Sequence, residues 1–118
     1  MAKFLLVDDA MFMRAAIKKM VEEAGHTVCA EAGNGNEAVE QYLAHKPDMV
    51  LMDITMPDMD GIEATNRIMA ADSDAKIIMV SAMGQMEMVV KAITAGAKDF
   101  VVKPVDADKL RSCIKKYV

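Results

Sequence analysis

Short apolar runs alternate along the chain with longer stretches whose apolar residues recur at helical spacing. The runs cover residues 4–7, 27–30, 49–52, 77–80 and 100–102. They are short and mostly lack polar alternation, the pattern of strands buried on both faces of a sheet. Between them the spacing predicts helices over residues 11–24, 36–45, 62–71, 85–95 and 107–117. In the first, Met13, Ile17, Met20 and Ala24 share one face, and Gly25 stands where a helix-ending glycine is expected. Pro47 follows the second helix, Gly96 follows the fourth, and Asp106 is placed to cap the fifth. A fivefold strand–helix alternation predicts an α/β domain with a parallel sheet covered by helices on both faces and joined by right-handed crossovers.

Length and composition narrow the classes. The 118 residues predict one domain over 1–118, with no output domain attached. A hydrophobic fraction of 53% with 27% charged residues is a globular composition. The net charge of −4, without a Lys/Arg run, argues against nucleic acid as a partner. Cys29 and Cys113 fit neither a disulfide framework nor a zinc motif and are expected as reduced thiols. Asp8 and Asp9 directly follow the first apolar run, unlike a signal peptide, and no apolar stretch approaches the roughly 20 residues of a membrane span. The expectation is a cytoplasmic protein without a membrane partner.

Open parallel sheets bind ligands beyond the carboxyl ends of their strands. Asp8 and Asp9 follow the first run, Asp53 the third, Ser81 the fourth, and Lys103 with Pro104 the fifth. On the predicted sheet these side chains share one edge. Three carboxylates at close range repel one another unless a cation is present. Mg²⁺ suits carboxylates, waters and a phosphate in octahedral geometry. An aspartate can then act as nucleophile and become an acyl phosphate. Lys103 supplies a point charge for phosphoryl oxygens and Ser81 a hydroxyl donor. Alone, an Asp-Asp pair reads as a turn and helix cap, Lys103 as a solvated charge and Ser81 as a turn residue. Asp53 is harder to set aside, because a carboxylate between Met52 and Ile54 needs a partner or a task.

The segments Leu6-Val7-Asp8-Asp9, Met52-Asp53-Ile54-Thr55-Met56-Pro57-Asp58-Met59-Asp60-Gly61, Val80-Ser81-Ala82, Gly96-Ala97-Lys98-Asp99-Phe100 and Lys103-Pro104 together resemble a response-regulator receiver domain. The likeness is to the single-domain chemotaxis CheY type and covers essentially the whole chain. It implies the flavodoxin-like (βα)5 fold with the family's strand order 2-1-3-4-5. It makes Asp53 the phospho-acceptor. Mg²⁺ is then held by the side chains of Asp9 and Asp53, the carbonyl of Thr55, and Asp8 through a water. Ser81 is the switch hydroxyl, Phe100 the rotating aromatic, and Lys103 the phosphoryl contact, with a cis Lys103–Pro104 bond. Chemotaxis members often carry Tyr at the aromatic position; Phe100 keeps the ring and lacks the hydroxyl.

The implied partners are a histidine kinase as phosphodonor, a target such as a flagellar motor switch component, and a phosphatase. The implied state is a monomer, with a phosphorylation-linked dimer as the variant. The resemblance makes the domain a switch and not an enzyme with a separate substrate. The alternatives are a receiver of another phosphorelay or of a longer regulator, and an aspartyl-nucleophile Mg²⁺-dependent phosphatase. That enzyme class carries a second Asp two residues after the nucleophile, where this chain has Thr55. A flavin binder would need a Ser/Thr/Gly-rich phosphate loop in place of Asp8-Asp9-Ala10. Of the 13 methionines, most are expected in adaptable core packing. Exposure of Met86 and Met88 would instead favour a soft partner surface at the fourth helix.

Overall fold

The computed structural model describes all 118 residues. The strands are β1 (Lys3–Val7), β2 (Thr27–Ala32), β3 (Met49–Met52), β4 (Ile77–Ser81) and β5 (Asp99–Val102). The helices are α1 (Met11–Glu23), α2 (Gly35–His45), α3 (Gly61–Ala71), α4 (Met86–Ala95) and α5 (Ala107–Tyr117). The five strands form one parallel sheet in the order β2-β1-β3-β4-β5, the flavodoxin-like arrangement that the resemblance implied.

Alternation along each central strand sorts the core into two layers. Leu5, Val7, Val50, Met52, Ile77 and Met79 meet Ala38, Tyr42, Ala64, Ile68 and Ala92 from α2, α3 and α4. Phe4, Leu6, Met49, Leu51, Ile78 and Val80 meet Ile17, Val21, Leu110, Cys113 and Ile114 from α1 and α5. Each central strand therefore needs apolar residues at every position, which is why its sequence shows no polar alternation. β2 and β5 are edge strands and only partly covered, so burial on both faces holds for β1, β3 and β4 alone.

Helix termini follow local chemistry. The Asn34 side chain accepts from the Glu37 N–H, and the Glu37 carboxylate accepts in turn from the Gly33 N–H. This reciprocal pair starts α2 at Gly35, one residue before the position read from periodicity. Asp60 caps α3 through the Glu63 N–H, and Asp106 caps α5 through the Asp108 N–H. On α1 the deeply buried residues are Ile17 and Val21, while Met13 and Met20 flank them half-buried. Gly25 adopts φ +92° just past α1, and Gly96 adopts φ +117° at the end of α4. Both cysteines are free. Burial and the neighbouring Asp99 carboxylate push the Cys113 thiol up to about 12, which disfavours the thiolate.

Candidate functional site

Register in a parallel sheet places strand ends side by side, and here it gathers the acidic residues. The Asp53 N–H donates to the Val7 carbonyl at 2.9 Å, which sets the end of β3 beside the end of β1. The Lys103 N–H donates to the Ser81 carbonyl at 2.9 Å, fixing the residue after β5 beside the end of β4. The Lys103–Pro104 peptide is cis.

Asp8 is 3% exposed and Asp53 6%, whereas Asp9 faces solvent. One carboxylate oxygen from each of the three lies within 4.8 Å of the others. Lys103 Nζ reaches between the two buried ones, 2.7 Å from Asp8 Oδ2 and 3.3 Å from Asp53 Oδ2. The remaining oxygens are also engaged. Asp8 Oδ1 accepts from the Ala10 N–H and Asp53 Oδ1 from the Ile54 N–H. Burial raises the Asp53 carboxyl above its ordinary value, and the nearby Asp8 charge adds to this, against the opposing pull of Lys103. For Lys103, burial alone would lower the ammonium, but the bond to Asp8 and the charges of Asp53 and Asp8 outweigh it and raise it. One ammonium thus faces three carboxylates, and the cluster is short of positive charge. The donor set is all hard oxygen, which fits a Mg²⁺-sized cation and excludes a thiolate or imidazole site.

The other residues singled out from the sequence stand around this cluster. Ser81 is 1% exposed, and its Oγ accepts from the Met83 N–H at 3.1 Å. A hydroxyl engaged in this way as acceptor keeps its own O–H free to donate. Thr55 is exposed, with its hydroxyl directed at Met83 Sδ at 3.2 Å across the mouth of the site. Phe100 is half-buried beside the α2–α4 core layer and pairs in register with Met79. Met86 is 74% exposed at the start of α4, while Met88 packs against the core, so the methionines there divide between surface and interior.

Two supporting residues lie outside the set read from the sequence. Gly61 passes so close to the Asp53 carbonyl that a Cβ would overlap it, while its N–H donates to the Ile54 carbonyl at 2.8 Å. Arg14 donates from Nε to Glu31 Oε1 at 3.0 Å and from Nη1 to the carbonyl of Asp8. Gly61 ends the segment from Met52 that carries the family resemblance but has no chemistry of its own to mark it. Arg14, within a polar helix stretch, reads as one more solvated charge.

The sequence profile of the response regulator receiver domain matches residues 4–115. The chain is 58% identical to the chemotaxis protein CheY of Listeria monocytogenes over 116 residues, 98% of each chain. It is 56% identical to CheY of Bacillus subtilis over 114 residues, 97% of this chain and 95% of the relative. Among solved structures it is similar to the CheX–CheY–BeF3–Mg complex from Borrelia burgdorferi, with TM-score 0.93 and 38% identity. That match covers 98% of this chain and 89% of the other. The chain belongs to the response regulator receiver domain family, the phospho-acceptor switches of two-component signalling.

Proposed function

We propose that Asp53 accepts a phosphoryl group from the phosphohistidine of a kinase, with Mg²⁺ held by Asp9, Asp53 and the Thr55 carbonyl and by Asp8 through a water. The carrying observation is the single ammonium of Lys103 between two buried carboxylates, with a third carboxylate beside them. The ion supplies the missing positive charge and stabilises negative charge on the transferring oxygens. An Asp53 carboxylate oxygen attacks phosphorus, the P–N bond breaks, and the imidazole leaves with its electron pair and takes a proton. Lys103 then contacts a phosphoryl oxygen, and Ser81 donates to another from the end of β4. Phe100 turns inward as Ser81 moves, and the surface of α4, β5 and α5 changes. Hydrolysis of the acyl phosphate by water restores Asp53. The domain turns over no separate substrate.

The CheY relatives support a role in chemotaxis, with a flagellar motor switch component as target. The related CheY bound to CheX supports a further dedicated protein partner, and we assign it the phosphatase role. No helix is long and apolar enough to cross a membrane; the reading places the protein in the cytoplasm as a monomer.

The test is intact mass after incubation with acetyl phosphate and Mg²⁺, beside Asp53→Asn. The expected result is one added phosphoryl group in the wild type, none in the variant, and none with chelator. Beryllofluoride, which forms a stable mimic on the acceptor, is added in parallel to cover a short-lived adduct. Silence in both experiments overturns the reading.

A further inference from the structure

The turn from Asp8 to Ala10 carries two of the three clustered carboxylates, and within it one hydrogen bond, from the Ala10 N–H to Asp8 Oδ1, holds it. Ala10 offers α1 no side-chain cap. Asp9 is exposed, so its carboxylate depends on the backbone for its placement. The Arg14 guanidinium, whose side chain is only 16% exposed, spans the gap. Its Nη1 donates to the Asp8 carbonyl and its Nε is paired with Glu31 Oε1 on β2. The Arg14 backbone N–H is meanwhile fixed to the Ala10 carbonyl at 3.1 Å, and the Asp8 N–H to the Ala32 carbonyl at 3.1 Å. The guanidinium therefore ties α1 and β2 to the peptide group joining Asp8 to Asp9. A planar fork holds its two donors on separate atoms at a fixed spacing and direction, matching both acceptors where they stand, whereas an ammonium presents all its donors from one atom and loses that geometry.

We infer that Arg14 is a positioning residue for the Asp8–Asp9 carboxylate pair, setting the cation affinity of the site without touching the ion. The inference rests on the proposed Mg²⁺ site. Two physical effects of Arg14 have opposite signs, which makes the role testable. As a nearby positive charge it repels a cation, so removing it tightens Mg²⁺ binding if charge is all that matters. As a clamp it orients ligands, so removing it weakens binding, and partners of this kind commonly carry about 10-fold in metal affinity.

The experiment is calorimetric Mg²⁺ titration of wild type, Arg14→Ala and Arg14→Lys, at a temperature where melting curves show each fully folded. Backbone amide resonances of Asp9 and Ala10 are recorded without Mg²⁺. The expected result is Mg²⁺ affinity about 10-fold weaker in Arg14→Ala. Arg14→Lys, which keeps the charge and loses the fork, should also be weaker than wild type and show displaced Asp9 and Ala10 resonances. Should Arg14→Ala not fold, Arg14→Lys carries the test alone. Equal or tighter binding in Arg14→Ala, or a wild-type affinity in Arg14→Lys, overturns the clamp while leaving the Mg²⁺ site standing. A wild type that binds no Mg²⁺ overturns the site itself, and the clamp with it.

Discussion

Asp53 is the residue at which stability and chemistry pull apart. Burial holds its carboxyl above the ordinary value even though Lys103 is 3.3 Å away. A carboxyl raised in the folded state favours folding while it is protonated, and that advantage is lost as pH rises through its folded pKa. At neutral pH without Mg²⁺ the ionised group therefore burdens the fold. Asp53→Asn removes the charge and keeps the shape, and Lys103 retains Asp8 at 2.7 Å as a partner. Removing a carboxylate whose burial is costly and which lies beside the Asp8 charge should therefore stabilise the fold. The variant should melt above wild type at pH 7 in chelator. The gap should close as pH falls through the Asp53 carboxyl's range in the folded protein. A wild type equally stable at pH 7 would mean that Lys103 fully compensates the buried charge. If the site takes the proposed Mg²⁺, these carboxylates around one ammonium sacrifice stability that the ion would restore.

At the scale of elements, the loop from β3 to α3 is held by a close backbone approach at its end. Gly61 lies against the Asp53 carbonyl, so Gly61→Ala must push backbone against backbone with no flexible side chain to yield. Overpacking of this kind costs about 1–3 kcal/mol. The displaced segment includes Asp53 itself, so phosphorylation by acetyl phosphate should slow as well. Urea unfolding and phosphorylation rate, measured together, check this; loss of stability with an unchanged rate would separate the loop from the site. The elements differ in how plainly they could be read beforehand. β1, β3 and β4 were plain because both faces are buried and the apolar code is uninterrupted. β2 runs to Ala32, past the end of its apolar run, because an edge strand tolerates the exposed Glu31. Val21 was missed because the stripe α1 buries is wider than one row of helical neighbours. The charged members of the site were legible because each follows an apolar run abruptly. Arg14 and Gly61 were not, since their roles lie in backbone contacts that no residue pattern announces.

For the whole molecule, the question is how a bond made at Asp53 reaches a surface beyond it. Ser81 is nearly fully buried between the acidic cluster and the strand that carries Phe100, and its O–H is free to donate. Moving a two-state domain from 1:99 to 99:1 takes about 5.5 kcal/mol of differential stabilisation. A hydrogen bond to a charged phosphoryl oxygen contributes roughly 1.5–3 kcal/mol of that. Ser81→Ala should therefore lower the active share of the activated domain from about 99% to between roughly 90% and 40%, while Asp53 still accepts the phosphoryl group. Apparent target affinity is a poor readout, because it scales with the active fraction and a fall of that size changes it by about 2.5-fold at most. The population itself is decisive. With beryllofluoride and Mg²⁺, ring resonances of Phe100 should report one state in wild type and two in Ser81→Ala. A single, wild-type-like Phe100 environment in the variant would show that the phosphoryl group acts on the aromatic by a route that bypasses Ser81. Lys103 would then be the group to follow, since its backbone N–H is bonded to the Ser81 carbonyl and its ammonium to Asp53.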